Sequence, residues 1–147
     1  MRRLLAVSAL ALLAACSSPG PYQEAVLSGN VRYDQKIAFG PDAVLLVWVA
    51  DASGPEAPLE VELQKLSSPT PGAELVAYDS VEGAIVSPTP FSLPVPMDKV
   101  DQGHDYALKA AIVDRGRPVM ATTNAPLVLT RGRPLQADLT VSPVAAP

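Results

Sequence analysis

Sixteen prolines spread through 147 residues set the terms on which this chain can fold. A proline inside a helix costs about 3 kcal/mol, so helix cannot dominate. Short extended segments joined by turns remain open, with proline at turns, strand starts and sheet edges. The residues between the prolines alternate as strands do. Tyr106, Leu108, Ala110 and Ile112 form one face of the clearest strand, and Ala107, Lys109, Ala111 and Val113 the other. Ala43 to Ala50 is apolar throughout, which predicts a central strand covered on both faces. Leu59, Val61 and Leu63 alternate with Glu60, Glu62 and Gln64, the pattern of a half-buried strand with an acidic outer face. Phe91, Leu93 and Val95 share a face while Pro94 and Pro96 lie on the other register, so this segment is expected at a sheet edge. Val26 to Tyr33, Glu74 to Val81, Pro118 to Thr123 and Leu135 to Val141 supply further strands. Asp114 to Arg117 is expected to turn the chain into a hairpin with Gly116 at positive φ, and only Met97 to Gln102 allows a short helical turn. The expected fold is all-β: a single antiparallel β-sandwich of about seven short strands over residues 26–142, with 143–147 a disordered tail.

The N-terminus follows different rules. Arg2 and Arg3 precede an apolar run from Leu4 to Ala15, broken only by Ser8. That run is twelve residues long, and a bilayer span needs about 20. It fits the h-region of a secretory signal, residues 1–15. Leu13, Ala14 and Ala15 before Cys16 resemble the bacterial lipobox, in which small residues admit the chain to a narrow peptidase and the cysteine sulfur takes a diacylglycerol. Each buried CH₂ of such an anchor contributes about 0.8 kcal/mol. Residues 16–25 then read as a flexible tether from the lipidated Cys16. In lipoproteins of this kind an Asp after the cysteine favours retention at the inner membrane. Ser17 stands here instead, so the periplasmic face of the outer membrane is the expected location.

Removing fifteen residues from 147 leaves 132, enough for one domain with a real core. Cys16 is the only cysteine, so no disulfide is available and packing must carry stability. Loss of Arg2 and Arg3 takes the formal charge from −4 to −6, which argues against nucleic acid as a partner.

Four segments in order resemble the YbaY-like and YscW-type lipoproteins: Leu27 to Tyr33, Ile37 to Leu45, Pro90 to Pro94 and His104 to Ile112, with Thr122, Thr123 and Leu127 to Thr130 fitting after them. The resemblance implies a β-sandwich facing the periplasm. For the YscW branch it implies a pilot protein that binds and targets a secretin; for the YbaY branch it implies no particular biochemical role. The stretch from Ser53 to Pro90 is longer than the family pattern.

Catalytic chemistry finds little support. His104 is the only histidine, and with no free cysteine a zinc site lacks ligands. His104 beside Asp105 is read as the opening of a strand, and Asp98, Asp101 and Asp105 as a solvated turn without the carboxylate spacing of a calcium loop. Trp48 and Tyr106 sit in apolar strands and are read as core. No enzyme activity, metal or cofactor is expected beyond the lipid on Cys16. The repeated Arg-Gly-Arg-Pro at Arg115–Pro118 and Arg131–Pro134 concentrates Arg115, Arg117, Arg131 and Arg133 in two turns, candidates for contact with an anionic surface or an acidic partner. The expected role is protein interaction at the envelope, as a pilot, chaperone or maintenance lipoprotein. The alternative is binding of a small molecule or glycan.

Overall fold

The computed structural model describes residues 24–66, 75–82 and 85–144. The expected signal segment, the lipobox with Cys16, most of the expected tether, residues 67–74 and 83–84, and residues 145–147 lie outside the described residues.

In chain order the elements are β1 (Glu24–Arg32), β2 (Val44–Asp51), α1 (Leu59–Leu66), β3 (Leu75–Val81), β4 (Thr89–Pro96), a 3-10 turn (Met97–Lys99), β5 (Tyr106–Asp114), β6 (Arg117–Thr122), β7 (Leu127–Val128) and β8 (Leu139–Pro143). The strands form one sheet in the order β3-β2-β5-β6-β8-β1-β4, with β7 added to β5. The end strands β3 and β4 come back together, so the sheet is a nearly closed, barrel-like structure. The expected antiparallel sandwich is corrected on two counts. Hydrogen bonding runs unbroken through β8, where Leu139 and Thr140 pair with β1 and Val141 to Pro143 pair with β6. The β1–β8 pair is also parallel, while the other pairs are antiparallel.

The β1–β8 junction depends on a glycine. The N–H of Ser28 donates to the Leu135 carbonyl and its own carbonyl accepts from Ala137, both at 3.0 Å. A Cβ on Gly29 would stand 1.8 Å from the Ala137 oxygen, so only glycine lets the two backbones approach this closely. Residues 135–138 follow β1 with one bridge, Ser28 to Gln136, before β8 begins at Leu139. The last strand therefore starts later than its alternation suggests.

Period two sorts the core. Leu27, Leu45, Val47, Val49, Leu93, Leu108, Ile112 and Val141 point inward and are essentially inaccessible. Each contributes about 1.5–3 kcal/mol of burial. β4 lies at the edge with Phe91, Leu93 and Val95 buried, as its alternation predicts, and with Pro90 and Pro94 exposed.

Leu59 to Gln64, expected as a strand, is helical: α1 spans Leu59–Leu66. Leu59 and Leu63 fit both templates, because four is a multiple of two and close to 3.6. Leu66 and Val61 decide between them. Leu59, Leu63 and Leu66 share a helical face packed on Trp48 and Ala111, whereas Val61 is left 40% exposed. Pro58 opens the helix by accepting N–H bonds from Val61 and Glu62 at 3.0 and 3.1 Å. Glu60 and Glu62 in the first turn and Lys65 in the last agree with the helix dipole.

Candidate functional site

β1 runs parallel to β8, β8 antiparallel to β6, and β6 antiparallel to β5. β1 and β5 therefore point the same way, and the barrel has two chemically distinct poles. One holds Glu24, Tyr106 and the end of β2; the other holds Arg32, Asp114 and the start of β2.

At the first pole the outer faces of β2 and β5 meet α1. Trp48 pairs with Lys109 and Ala50 with Ala107 across the ladder. The small alanines leave room, and a cleft of about 560 Å³ opens there, bounded by Trp48, Ala50, Ala107 and Leu127, the 51–57 loop, Glu62, Lys65 and His104. Lys109 donates to Glu62 at 2.8 Å with both side chains mostly buried, a pair that ties α1 to β5. Trp48 is 1% exposed, and its Nε1–H is buried without a hydrogen-bond partner among the described residues. Such an orphan donor costs about 1–3 kcal/mol.

A polar clasp closes the same pole. His104 Nδ1 donates to Asp51 Oδ2 at 2.7 Å, and Nε2 faces Asp101 Oδ2 at 3.6 Å. Asp51 also accepts the Ser53 N–H at 2.8 Å, and the Asp105 N–H donates to Ser53 Oγ at 2.9 Å. The bond to Asp51 raises the His104 pKa above its ordinary value; partial desolvation opposes this, and the charges of Asp51, Asp101 and Asp105 reinforce it. Burial pushes Asp51 upward, but the bonds from Ser53 and His104 outweigh it and leave its pKa lowered. With a carboxylate rather than a hydroxyl at Nε2, this is a charged clasp and not the relay of a hydrolase. The sequence pairs His104 with its neighbour Asp105. The fold pairs it with Asp51, and Asp105 turns to the arginines.

Arg131 Nε and Arg133 Nη1 both donate to Asp105 Oδ1, at 2.8 and 2.9 Å, and Arg131 Nη2 donates to the Gly103 carbonyl at 3.1 Å. These bonds, Arg131 first and then Arg133, hold the Asp105 carboxyl below its usual range. Thr130 Oγ1 donates to the His104 carbonyl at 2.7 Å. The Thr130 N–H bonds back to the Val128 carbonyl at 2.9 Å around Leu129 at φ 75°, a γ-turn of the strained hand. Arg115 and Arg117 lie at the other pole, eight strand residues away along β5, or about 26 Å. They are exposed, and their side chains make no hydrogen bond or ion pair among the described residues. The structure therefore does not bring the four arginines together. Tyr106 is core, 2% exposed, and its hydroxyl accepts the Asp101 N–H at 2.7 Å. Trp48 is equally buried but also borders the cleft. Asp98 lies in the 3-10 turn, and Cys16 with the lipobox is outside the described residues.

Sequence reasoning missed Asp51, Glu62 and Lys109. The partners are 53 and 47 residues apart, and Glu62 became visible as a partner of β5 only once its segment was helical.

Comparison with known proteins agrees with this fold. The family model for the type III secretion system lipoprotein chaperone YscW matches residues 52–141. The uncharacterized lipoprotein YbaY of Escherichia coli K12 is 34% identical over 122 residues, covering 83% of this chain; the chain spans 57% of that relative. An alternative pilotin from the type II secretion system of Vibrio cholerae superposes with a TM-score of 0.67 at 21% identity, over 84% of this chain and all of that one. The chain thus belongs to the YbaY/YscW-like lipoprotein family, through the YscW model that matches it over residues 52–141.

Proposed function

We propose that this protein is a lipid-anchored envelope lipoprotein that works by protein interaction, as a pilot or chaperone for another envelope protein, with a secretin as the leading partner class. It carries no catalytic role. Cys16 bears the lipid, residues 1–15 are removed, and the domain stands at the periplasmic face of the outer membrane. The observation that carries the reading is the cleft beneath α1. It is concave and mainly apolar, and it is rimmed by fixed charges. A bound polypeptide supplies apolar side chains for the floor and polar groups for the rim. The family membership and the pilotin-like fold support the same role.

In-cell photocrosslinking tests it. Leu127→benzoylphenylalanine places the crosslinker at the cleft, on a residue 40% exposed, and Tyr78→benzoylphenylalanine places it on β3, at a residue outside the cleft lining. One stoichiometric envelope protein captured from position 127, absent from position 78 and lost with Cys16→Ala, is the expected result. No adduct at position 127 would sink the docking role. The cleft volume also suits a small molecule or glycan. Trp48 is the only tryptophan, so a fluorescence shift on adding candidate sugars, with no protein adduct, would favour that second reading.

A further inference from the structure

The pole opposite the cleft carries a different surface. The tip of the β5–β6 hairpin and the loop before β2 enclose a shallow depression of about 640 Å³, lined by Phe39, Gly40, Asp114, Arg115, Arg117 and Val119. Its two guanidinium groups have no partner among the described residues, in a chain whose formal charge is −4. Asp114 fixes the wall by accepting the Gly40 N–H through Oδ2 at 3.0 Å. Its Oδ1 is buried without a hydrogen-bond partner among the described residues. Phe39 and Val119 are half-buried and contribute apolar surface.

We infer that this depression docks an acidic peptide segment of another protein, with carboxylates on Arg115 and Arg117 and an intervening apolar side chain against Phe39 and Val119. One feature selects a peptide over a phosphate. Asp114 sets a negative charge beside the guanidinium groups. A phosphate group brings up to about two negative charges to one point, whereas a peptide spreads single carboxylate charges along its length and adds apolar side chains. Guanidinium pairs bidentately with carboxylate and phosphate alike. The strand directions place the depression at the pole away from Glu24, where β1 begins. The inference is independent of what fills the cleft.

The test is fluorescence anisotropy with a fluorescein-labelled Asp-Leu-Glu-Leu-Asp peptide and the full chain in detergent micelles. Arg115→Asn with Arg117→Gln should weaken binding about tenfold, or 1.4 kcal/mol. Asn keeps the positive-φ turn at position 115, and an unchanged melting curve confirms folding. Lys99→Gln, at the other pole, should leave binding as it was, and the peptide with Asn and Gln in place of Asp and Glu should not bind. No binding by the unaltered chain, or equal binding by the double variant, overturns the proposal. Displacement by inorganic phosphate or glycerophosphoglycerol as efficient as displacement by unlabelled peptide also overturns it, because the site then reads phosphate.

Discussion

The chain writes Arg-Gly-Arg-Pro twice and uses it in two ways. Both copies make the same backbone: Arg115 and Gly116 sit at φ 55° and 77°, Arg131 and Gly132 at 61° and 72°. Successive positive-φ residues are what a tight turn of the primed type requires. The first copy closes the β5–β6 hairpin, and the second closes a turn through the Arg133 N–H to the Thr130 carbonyl at 3.3 Å. The side chains then diverge. Arg131 and Arg133 converge on Asp105 and brace the pole with the cleft; the side chains of Arg115 and Arg117 reach no partner among the described residues. Local sequence determines the turn, and the tertiary neighbour determines what the arginines do. Asp105 is one residue before β5, while Asp114, at its other end, is engaged by Gly40.

The shared half of this comparison carries the largest expected effect. Gly116→Ala and Gly132→Ala each force an L-residue to hold a left-handed conformation, at about 1–2 kcal/mol. Neither added methyl meets a neighbouring atom, so the two costs should match in urea denaturation. A clearly larger loss for Gly132→Ala would mean that the turns are not equivalent in backbone. The divergent half comes next. Arg131→Ser with Arg133→Ser should lower the melting temperature by about 3 °C. Arg115→Asn with Arg117→Gln should leave stability within about 0.5 kcal/mol. Equal losses from the two pairs would erase the distinction between braced and free arginines.

Much of the barrel was legible because strand burial repeats every two residues. The inward set on β5, the prolines of the β4 edge and the positive φ at Gly116 follow from local rules that the fold does not override. Two features depend on distance. The helix at Leu59–Leu66 needed Trp48, which offers a broad apolar surface that three leucines at helical spacing cover and two alternating ones do not. Barrel closure needed Gly29, which in sequence is one more residue of the strand Val26 to Tyr33 and in space is room for the Ala137 carbonyl. The candidate site was less legible still. His104–Asp51 and Lys109–Glu62 join segments about fifty residues apart, and no short motif announces either pair.

The smallest expected effect separates the poles by pH. In the folded chain the His104 pKa is raised above 6.5, chiefly by the bond to Asp51. Its stabilising contribution is therefore complete below the unfolded value, about 6.5, and disappears as pH rises through the folded one. Asp51 and Asp105 have lowered pKa values, so their contributions are present above about 3.9 and are lost as pH falls through the folded values. Both limbs belong to the cleft pole, where the groups facing His104 are Asp51, Asp101 and Asp105, the last neutralised by Arg131 and Arg133. Melting temperatures recorded from acid to mildly alkaline pH should show a shallow decline above about pH 6.5. His104→Gln should flatten that decline, while the Arg115→Asn, Arg117→Gln variant should reproduce the unaltered profile. Exposure of the histidine, 45% for its side chain, keeps the change to a degree or two at most. An alkaline decline that survives His104→Gln would place its origin outside the clasp. A decline altered by the distal arginines would show that the two poles are electrostatically coupled despite a separation of about 26 Å, well beyond the screening length of about 8 Å at physiological salt.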